Sequence, residues 1–314
     1  MRVAVLGLGL IGGSVALALT EAGHEVIGHD TSERTREAAG RRFAVAADPT
    51  ALLEADLAVL AVPMGAMAGC ASDFSAPRFG GIVTDVASIK GHVRAAFAGH
   101  RRFVGGHPMA GKATAGFDEA EAGLFRGRKW ALCLEEDTPL EDWAAVARLW
   151  LSVGAHVVPT THLAHDLAVA RVSHVEHLVA AALTLAADDP LSRTLAAGSF
   201  RDATRVAASP VGLTGGMVAH NRHGLRAALE ALDRELDSAR HLVDRRSLEP
   251  DRTEQWLERA RVLRETWPPE PGGLERVELT RESLLALGEA GGWIESVEDF
   301  TVATARRPRV KSTS

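Results

Sequence analysis

The feature that most constrains this chain is the loop Gly7-Leu8-Gly9-Leu10-Ile11-Gly12. It follows the apolar run Arg2-Val3-Ala4-Val5-Leu6 and opens an apolar-periodic stretch, residues 11–22, that stops at Gly23. A second short run, residues 25–30, ends on Asp30. Strand, GxGxxG loop, helix and an acidic residue about 20 positions on are together the fingerprint of a dinucleotide site. Gly7 permits the tight turn, Gly9 lets a pyrophosphate approach the backbone, and Gly12 lets helix and strand pack closely. Leu10 and Ile11 lie where the loop passes into the helix, whose free N–H groups and positive dipole end face the phosphates. The Asp30 carboxylate accepts from ribose hydroxyls and repels a 2′-phosphate, which favours NAD over NADP. Arg34 and Arg36 follow closely and soften that preference. Flavin proteins share this fingerprint but need more chain for the flavin, so NAD is the expected cofactor.

The rest of the first half alternates short apolar runs with amphipathic stretches, the pattern of a doubly wound parallel sheet. Leu57-Ala58-Val59-Leu60-Ala61-Val62 reads as a strand buried on both faces, and residues 81–85 as another. Asp48-Pro49 reads as a helix cap followed by proline at the first helical position. Later strands are expected at 130–134 and 156–158, with a helix over 141–151 between them. Beyond residue 160 the pattern turns helical. Residues 163–187 read as a central buried helix. Leu225, Leu229, Leu232, Leu236, Ala239 and Val243 form a stripe that wants a partner helix, in this chain or a second copy. Trp267-Pro268-Pro269-Glu270-Pro271 breaks the chain. The expected organisation is a Rossmann-type α/β domain over 1–160 and an all-α substrate and dimerisation domain over 161–266. A linker, a small strand–helix–strand α/β appendage and a basic, disordered tail are expected over 267–314.

Composition narrows the function classes. A formal net charge of -6 argues against a nucleic-acid or polyanion binder. Cys70 and Cys133 lie far apart and outside any CxxC spacing, which fits a reducing, cytoplasmic setting. The first strand begins at residue 2, leaving no room for a leader peptide. The longest apolar stretch carries Asp166, Arg171, His174, Glu176 and His177, which excludes a membrane span.

Four further segments carry chemistry: Asp85-Val86-Ala87-Ser88-Ile89-Lys90, Gly105-Gly106-His107-Pro108-Met109-Ala110-Gly111, Ser173-His174-Val175-Glu176-His177 and Phe200-Arg201-Asp202-Ala203-Thr204-Arg205. In order and spacing, together with the glycine loop, they resemble prephenate and arogenate dehydrogenases of tyrosine biosynthesis, over residues 1 to about 245. The resemblance implies oxidative decarboxylation of a small anionic cyclohexadienyl substrate: hydride passes to NAD and the ring carboxylate leaves as CO₂. It implies that His107 takes the ring hydroxyl's proton, a task suited to a neutral imidazole at physiological pH. It implies that Ser88 bonds this histidine or the substrate hydroxyl, and that Arg205 binds the side-chain carboxylate, for which a bidentate guanidinium fork is suited. Arg201, one helical turn earlier, adds positive field. His174 and His177, three apart on one helix face, belong to the substrate pocket. His107 is expected on a Gly- and Pro-flanked turn beyond a strand, and Asp85 and Lys90 are expected to stabilise their loop. His92, His100, His156, His162, His165, His220 and His223 have no motif around them and are assigned no role. No carboxylate or cysteine accompanies the HxxH pair at ligand spacing, so no metal is expected.

Two positions depart from the family pattern: Ala113 stands where an acidic or amide residue is common, and Thr214 where a tryptophan is common. They leave prephenate, arogenate or an amino-substituted analogue open as substrate. The roughly 40 residues after the linker are too few for the family's regulatory ACT domain. Two other readings remain: another NAD(P)-linked oxidoreductase with a helical second domain, or a non-catalytic NAD-binding paralogue. Of the first kind, a β-hydroxyacid dehydrogenase would show a catalytic lysine on a helix of the second domain, and no lysine occurs between Trp130 and Val310; the second has no need of Ser88, His107 and Arg205 together.

Overall fold

The computed structural model describes residues 1–75, 78–112, 114–244, 250–299 and 301–309. Its residues form two compact units, Met1–His165 with Pro271–Ser314, and Asp166–Glu270.

The first unit opens with β1 (Arg2–Leu6), α1 (Leu10–Glu21), β2 (Glu25–His29), α2 (Glu33–Ala39), β3 (Ala44–Val45), β4 (Leu57–Leu60), α3 (Met67–Asp73), β5 (Ile82–Asp85), α4 (Lys90–Ala96) and β6 (Phe103–Val104). These strands make one parallel sheet in the order β3-β2-β1-β4-β5-β6. The order reverses between β1 and β4, and ligands of such sheets bind at that switch point, beyond the carboxyl ends of the strands. Both faces of the sheet are covered. Val3, Val5, Leu57 and Val59 pack with Val15, Ala16 and Leu19 of α1. The alternate residues Ala4, Ala58 and Leu60 pack with Met67, Phe74 and Phe97 on the other side. This two-sided burial is why β4 reads as an unbroken apolar run rather than an alternating one. Asp48 caps the short helical turn Pro49–Glu54 by accepting from the Thr50 N–H.

A second sheet follows. Its first members are β7 (Gly106–Pro108), β8 (Lys129–Cys133), α5 (Leu140–Ser152) and β9 (His156–Thr160). Trp130, Trp143 and Trp150 are fully buried here, with Trp130 and Trp150 stacked at 3.8 Å.

The second unit is helical. α6 (His162–Val169) runs through one π-helical turn, Ala170–His174, into α7 (Val175–Ala186). Its described residues also form α8 (Pro190–Leu195), α9 (Gly198–Thr204), α10 (Val211–His220), α11 (Arg222–Asp244) and α12 (Pro250–Glu265). The helix read over 163–187 thus runs without a break from His162 to Ala186 but contains one wider turn, a local irregularity that apolar periodicity does not report. It is not buried on all sides either. Val172, Val179, Leu183 and Leu185 are exposed, as are Leu236 and Val243 of the α11 stripe, whereas Leu225 is buried. No helix among the described residues is long and apolar enough to cross a membrane.

The chain then returns to the first unit with β10 (Pro271–Glu278), α13 (Arg281–Glu289), β11 (Trp293–Val297) and β12 (Val302–Pro308). These do not form a free-standing appendage. β11 pairs antiparallel with β9 at Ile294 and Val157, giving one sheet in the order β10-β12-β11-β9-β8-β7. Ile294, Leu284, Leu287, Ala303 and Ala305 join the core that holds Trp143 and Val157. A row of polar groups crosses the same strands. The Lys129 Nζ sits 3.0 Å from the Trp293 ring centroid and 3.2 Å from His156 Nδ1, and Glu295 bridges His156 and Arg306. Burial pushes the Lys129 ammonium down to about 8. Burial, and then the Lys129 charge, push His156 down as well. The tail expected to be disordered lies largely outside the described residues; 306–308 belong to β12.

Candidate active site

The glycine loop has the geometry that its sequence demands. Gly7 takes φ +90°, in the left-handed region, and a Cβ there would lie 2.5 Å from the Ala61 carbonyl oxygen just after β4. A Cβ on Gly12 would lie 1.9 Å from the Gly7 oxygen, so any side chain would lever α1 off the loop. Gly9 differs: a Cβ there would meet nothing within 4 Å. It is the N-cap of α1 and offers no side-chain oxygen to the first-turn N–H groups, those of Leu10 and Ile11 among them. Open space, free donors and a helix N-terminus coincide at this point, which fits a pyrophosphate.

Asp30 stands at the end of β2. Its Oδ2 accepts from the Leu8 N–H at 2.8 Å and its Oδ1 from the Ser32 N–H at 2.8 Å. Each oxygen keeps a further lone pair, so the carboxylate is oriented and still able to accept from ribose hydroxyls. Arg36 donates to the carbonyls of Asp30 and Thr31, and exposed Arg34 lies 4.0 Å from Asp118. Asp30→Ala is expected to lower the NAD⁺/NADP⁺ ratio of kcat/KM about 10- to 100-fold, the scale of removing one like-charge clash. Parallel kinetics with both cofactors check this; an unchanged ratio contradicts the assignment.

His107 does not sit on a turn. It is the middle residue of β7, the edge strand of the second sheet, opposite Ala131 of β8. Pro108 fits there because an edge strand leaves one row of N–H groups unused. A buried ion pair locks this strand to the carboxyl end of β5. Lys90 donates to Asp85 Oδ2 and to the Gly106 carbonyl at 2.6 Å. Asp85 also accepts from the N–H groups of Ala87 at 2.9 Å and Gly106 at 3.1 Å. Lys90 is 1% exposed and Asp85 fully buried. Gly106 has no room for a side chain, since its Cβ would lie 2.8 Å from the Asp85 carbonyl oxygen. His107 therefore directly follows Gly106, the residue bonded to Asp85 at the carboxyl end of β5, and such sheets bind their ligands beyond the carboxyl ends of their strands. Ser88 lies half-buried in the turn between β5 and α4.

The partner that the structure gives to His107 Nδ1 is His165 Nε2, at 2.9 Å. His165 lies on α6 and is 4% exposed. Nothing in the local sequence marks it; it is one of seven histidines without a motif, 58 residues from His107.

The remaining residues belong to the helical unit. His174 is buried in the π-helical turn and His177 is buried on α7. Asn221, between α10 and α11, escaped the sequence reading. Its amide N–H groups reach the Asp166 carbonyl at 2.8 Å and His174 Nδ1 at 3.1 Å, while its oxygen accepts from the Gly224 N–H at 3.3 Å. With Nδ1 acting as acceptor, His174 carries its proton on Nε2. Thr214 Oγ1 lies 3.5 Å from His177 Nδ1, at the outer limit of a hydrogen bond. Arg205 is exposed at the start of the turn Arg205–Ala208, which packs on α7; among the described residues it makes no ion pair. Arg201, also exposed, pairs with its neighbour Asp202 at 3.3 Å. Ala113 lies outside the described residues.

The family model "Prephenate dehydrogenase, nucleotide-binding domain" matches residues 15–159, and "Prephenate dehydrogenase, dimerization domain" matches residues 161–259. Prephenate dehydrogenase of Bacillus subtilis is 30% identical over 260 residues, covering 77% of this chain and 70% of the relative. Cyclohexadienyl dehydrogenase of Zymomonas mobilis is 32% identical over 260 residues, covering 77% of this chain and 88% of the relative. The solved structure of Synechocystis arogenate dehydrogenase superposes with a TM-score of 0.71 at 32% identity, covering 85% of this chain and 97% of that one. The chain belongs to the prephenate dehydrogenase family of NAD-dependent oxidoreductases.

Proposed function

We propose that the chain oxidises and decarboxylates a cyclohexadienyl dicarboxylate, prephenate or arogenate, with His107 as the proton acceptor and Arg205 as the carboxylate ligand. The observation that carries this reading is the placement of His107, on a strand clamped to the carboxyl end of β5 by Lys90 and Asp85. NAD, when bound, supplies the hydride acceptor. The loop Gly7–Gly12 and Asp30 would hold it. His107 takes the proton of the ring hydroxyl as the C–H bond on the same carbon breaks. The ring carboxylate leaves as CO₂, and its bonding electrons pass into the ring, which becomes aromatic. The phenolate oxygen formed takes the proton back, so His107 ends the cycle neutral and no net proton is released. Ser88 would orient the hydroxyl. His177, with Thr214 beside it, and His174 would line the substrate's surroundings on the helical unit, and Arg201 would add positive field. We place the enzyme in the cytoplasm, in keeping with its two buried free cysteines. The exposed leucines and valines of α7, α8 and α11 support a homodimer formed through the helical unit.

The test is NADH production from prephenate and from arogenate, each with NAD⁺ and with NADP⁺. Turnover with CO₂ release is expected with at least one substrate and NAD⁺; no turnover with either overturns the assignment. Arg205→Ala is expected to raise KM for the substrate about 10- to 100-fold, the loss of one charge-assisted hydrogen-bond pair. The KM for NAD⁺ should stay within about two-fold, since the guanidinium serves only the substrate in this reading. An unchanged substrate KM contradicts the role.

A further inference from the structure

We infer that His165 is the positioning residue that makes His107 a base, by fixing which of its two ring nitrogens carries the proton. This rests on the reading of His107 as proton acceptor and adds to it a residue that no motif marks.

The contact is a hydrogen bond between two imidazoles, His107 Nδ1 and His165 Nε2, 2.9 Å apart. The rings cross at 73° with centroids 5.1 Å apart, so they do not stack and the hydrogen bond sets the contact. A neutral imidazole has one N–H and one lone pair, so only two arrangements are possible. In the first, His165 donates from Nε2 to His107 Nδ1. His107 then carries its own proton on Nε2, presents a donor outward, and cannot act as a base. In the second, His107 donates from Nδ1 to the lone pair of His165 Nε2. His107 Nε2 then presents a lone pair, as the reaction needs. The role of His107 as base requires the second arrangement, in which His165 carries its own proton on Nδ1.

Anchoring supports that role. His165 is almost fully buried, and its backbone N–H is tied to the Thr161 carbonyl at 2.9 Å at the start of α6. His107 is held from the other side by the Lys90–Asp85–Gly106 network. The partner's chemistry matters too. When His107 Nε2 takes the substrate proton, its Nδ1–H bond to His165 becomes charge-assisted and strengthens. A carboxylate in place of His165 would stabilise the imidazolium more. It would also hold His107 protonated near neutral pH and bring a negative charge towards a substrate that carries two carboxylates. A neutral imidazole orients the base without that charge.

The experiment compares His165→Leu and His165→Gln in the full chain, alone and combined with His107→Asn. The glutamine side-chain oxygen can accept near the position of Nε2. His165→Leu is expected to lower kcat about 10- to 100-fold, less than the roughly 10²- to 10⁴-fold cost of losing the acid–base group itself, because only its orientation is lost. Substrate and NAD⁺ KM should stay within about three-fold, because the loss falls on the chemical step. His165→Gln is expected to recover kcat to within about five-fold of the parent, as an acceptor is restored. In the His107→Asn background, His165→Leu is expected to cost nothing further; a merely structural role would give additive losses and altered KM. Imidazole ¹⁵N shifts of the NAD⁺-bound parent are expected to show His107 protonated on Nδ1, a readout that also decides the matter should His165→Leu fail to fold. A kcat within two-fold of the parent in His165→Leu, or a proton found on His107 Nε2, overturns the inference. If His107→Asn lowers kcat and His165→Leu does not, this inference alone falls. If His107→Asn leaves kcat intact, the reading of His107 as the base falls with it.

Discussion

His107→Asn is expected to lower kcat about 10²- to 10⁴-fold, the typical contribution of a positioned general base. Asparagine keeps the size and a polar tip, and its amide can still donate towards His165. It has no lone pair basic enough to take a hydroxyl proton at neutral pH. Hydride would then have to leave a carbon that still bears a neutral hydroxyl, and that transition state carries more positive charge. The dinucleotide loop follows β1, whereas His107 is on the second sheet, so NAD⁺ affinity should be preserved. Steady-state kinetics with an NAD⁺ titration separate the two effects. An unchanged kcat, or a loss that appears only in NAD⁺ binding, removes His107 from the chemistry.

The second large effect is on stability. Lys90→Met is expected to destabilise the first unit by about 3–5 kcal/mol, the cost of leaving a buried charge without its partner. The Asp85 carboxylate keeps two backbone donors, from Ala87 and Gly106, but loses its only counter-charge among the described residues. The Gly106 carbonyl loses a donor at the same time. At roughly 2–4 °C per kcal/mol for a unit of this size, the midpoint should fall by about ten degrees. Thermal or urea unfolding measures it; a shift below about 1 kcal/mol would show that Asp85 is neutral or otherwise paired. Because Gly106 adjoins His107, surviving protein should also lose kcat. Removing a distant partner of the substrate would not couple activity to stability in this way.

The readable parts of the fold are those written in local pattern. The glycine loop, Asp30 and the apolar run at β4 each declare themselves within a few residues, because turn sterics, helix-end chemistry and two-sided burial act locally. The second sheet does not. β11 finds β9 only after the entire helical unit has intervened, and strand pairing at such separation leaves no periodic trace. β7 is three residues long and ends in proline, which reads as a turn until β8 is seen beside it. The same limit hid His165 and Asn221. Each acts through side-chain contacts to residues more than forty positions away, 58 for His165 to His107 and 55 and 47 for Asn221 to Asp166 and His174. The π-helical turn at Ala170–His174 was missed because alanine-rich sequence suits a regular helix equally well. Motif resemblance supplied what periodicity lacked, and named His107 and Arg205 before any strand could be paired.

That late pairing has a consequence during synthesis. As the chain leaves the ribosome, β8 and β9 emerge with the edge of β9 still unmatched, and Val157 waits for a neighbour not yet made. An uncovered edge is a template for the wrong strand, above all in a nascent polypeptide crowded by others like it. Only when residues 271–308 are translated can Ile294 dock and seal it. A premature stop after the helical unit would therefore leave a sticky, half-built layer rather than a shortened enzyme.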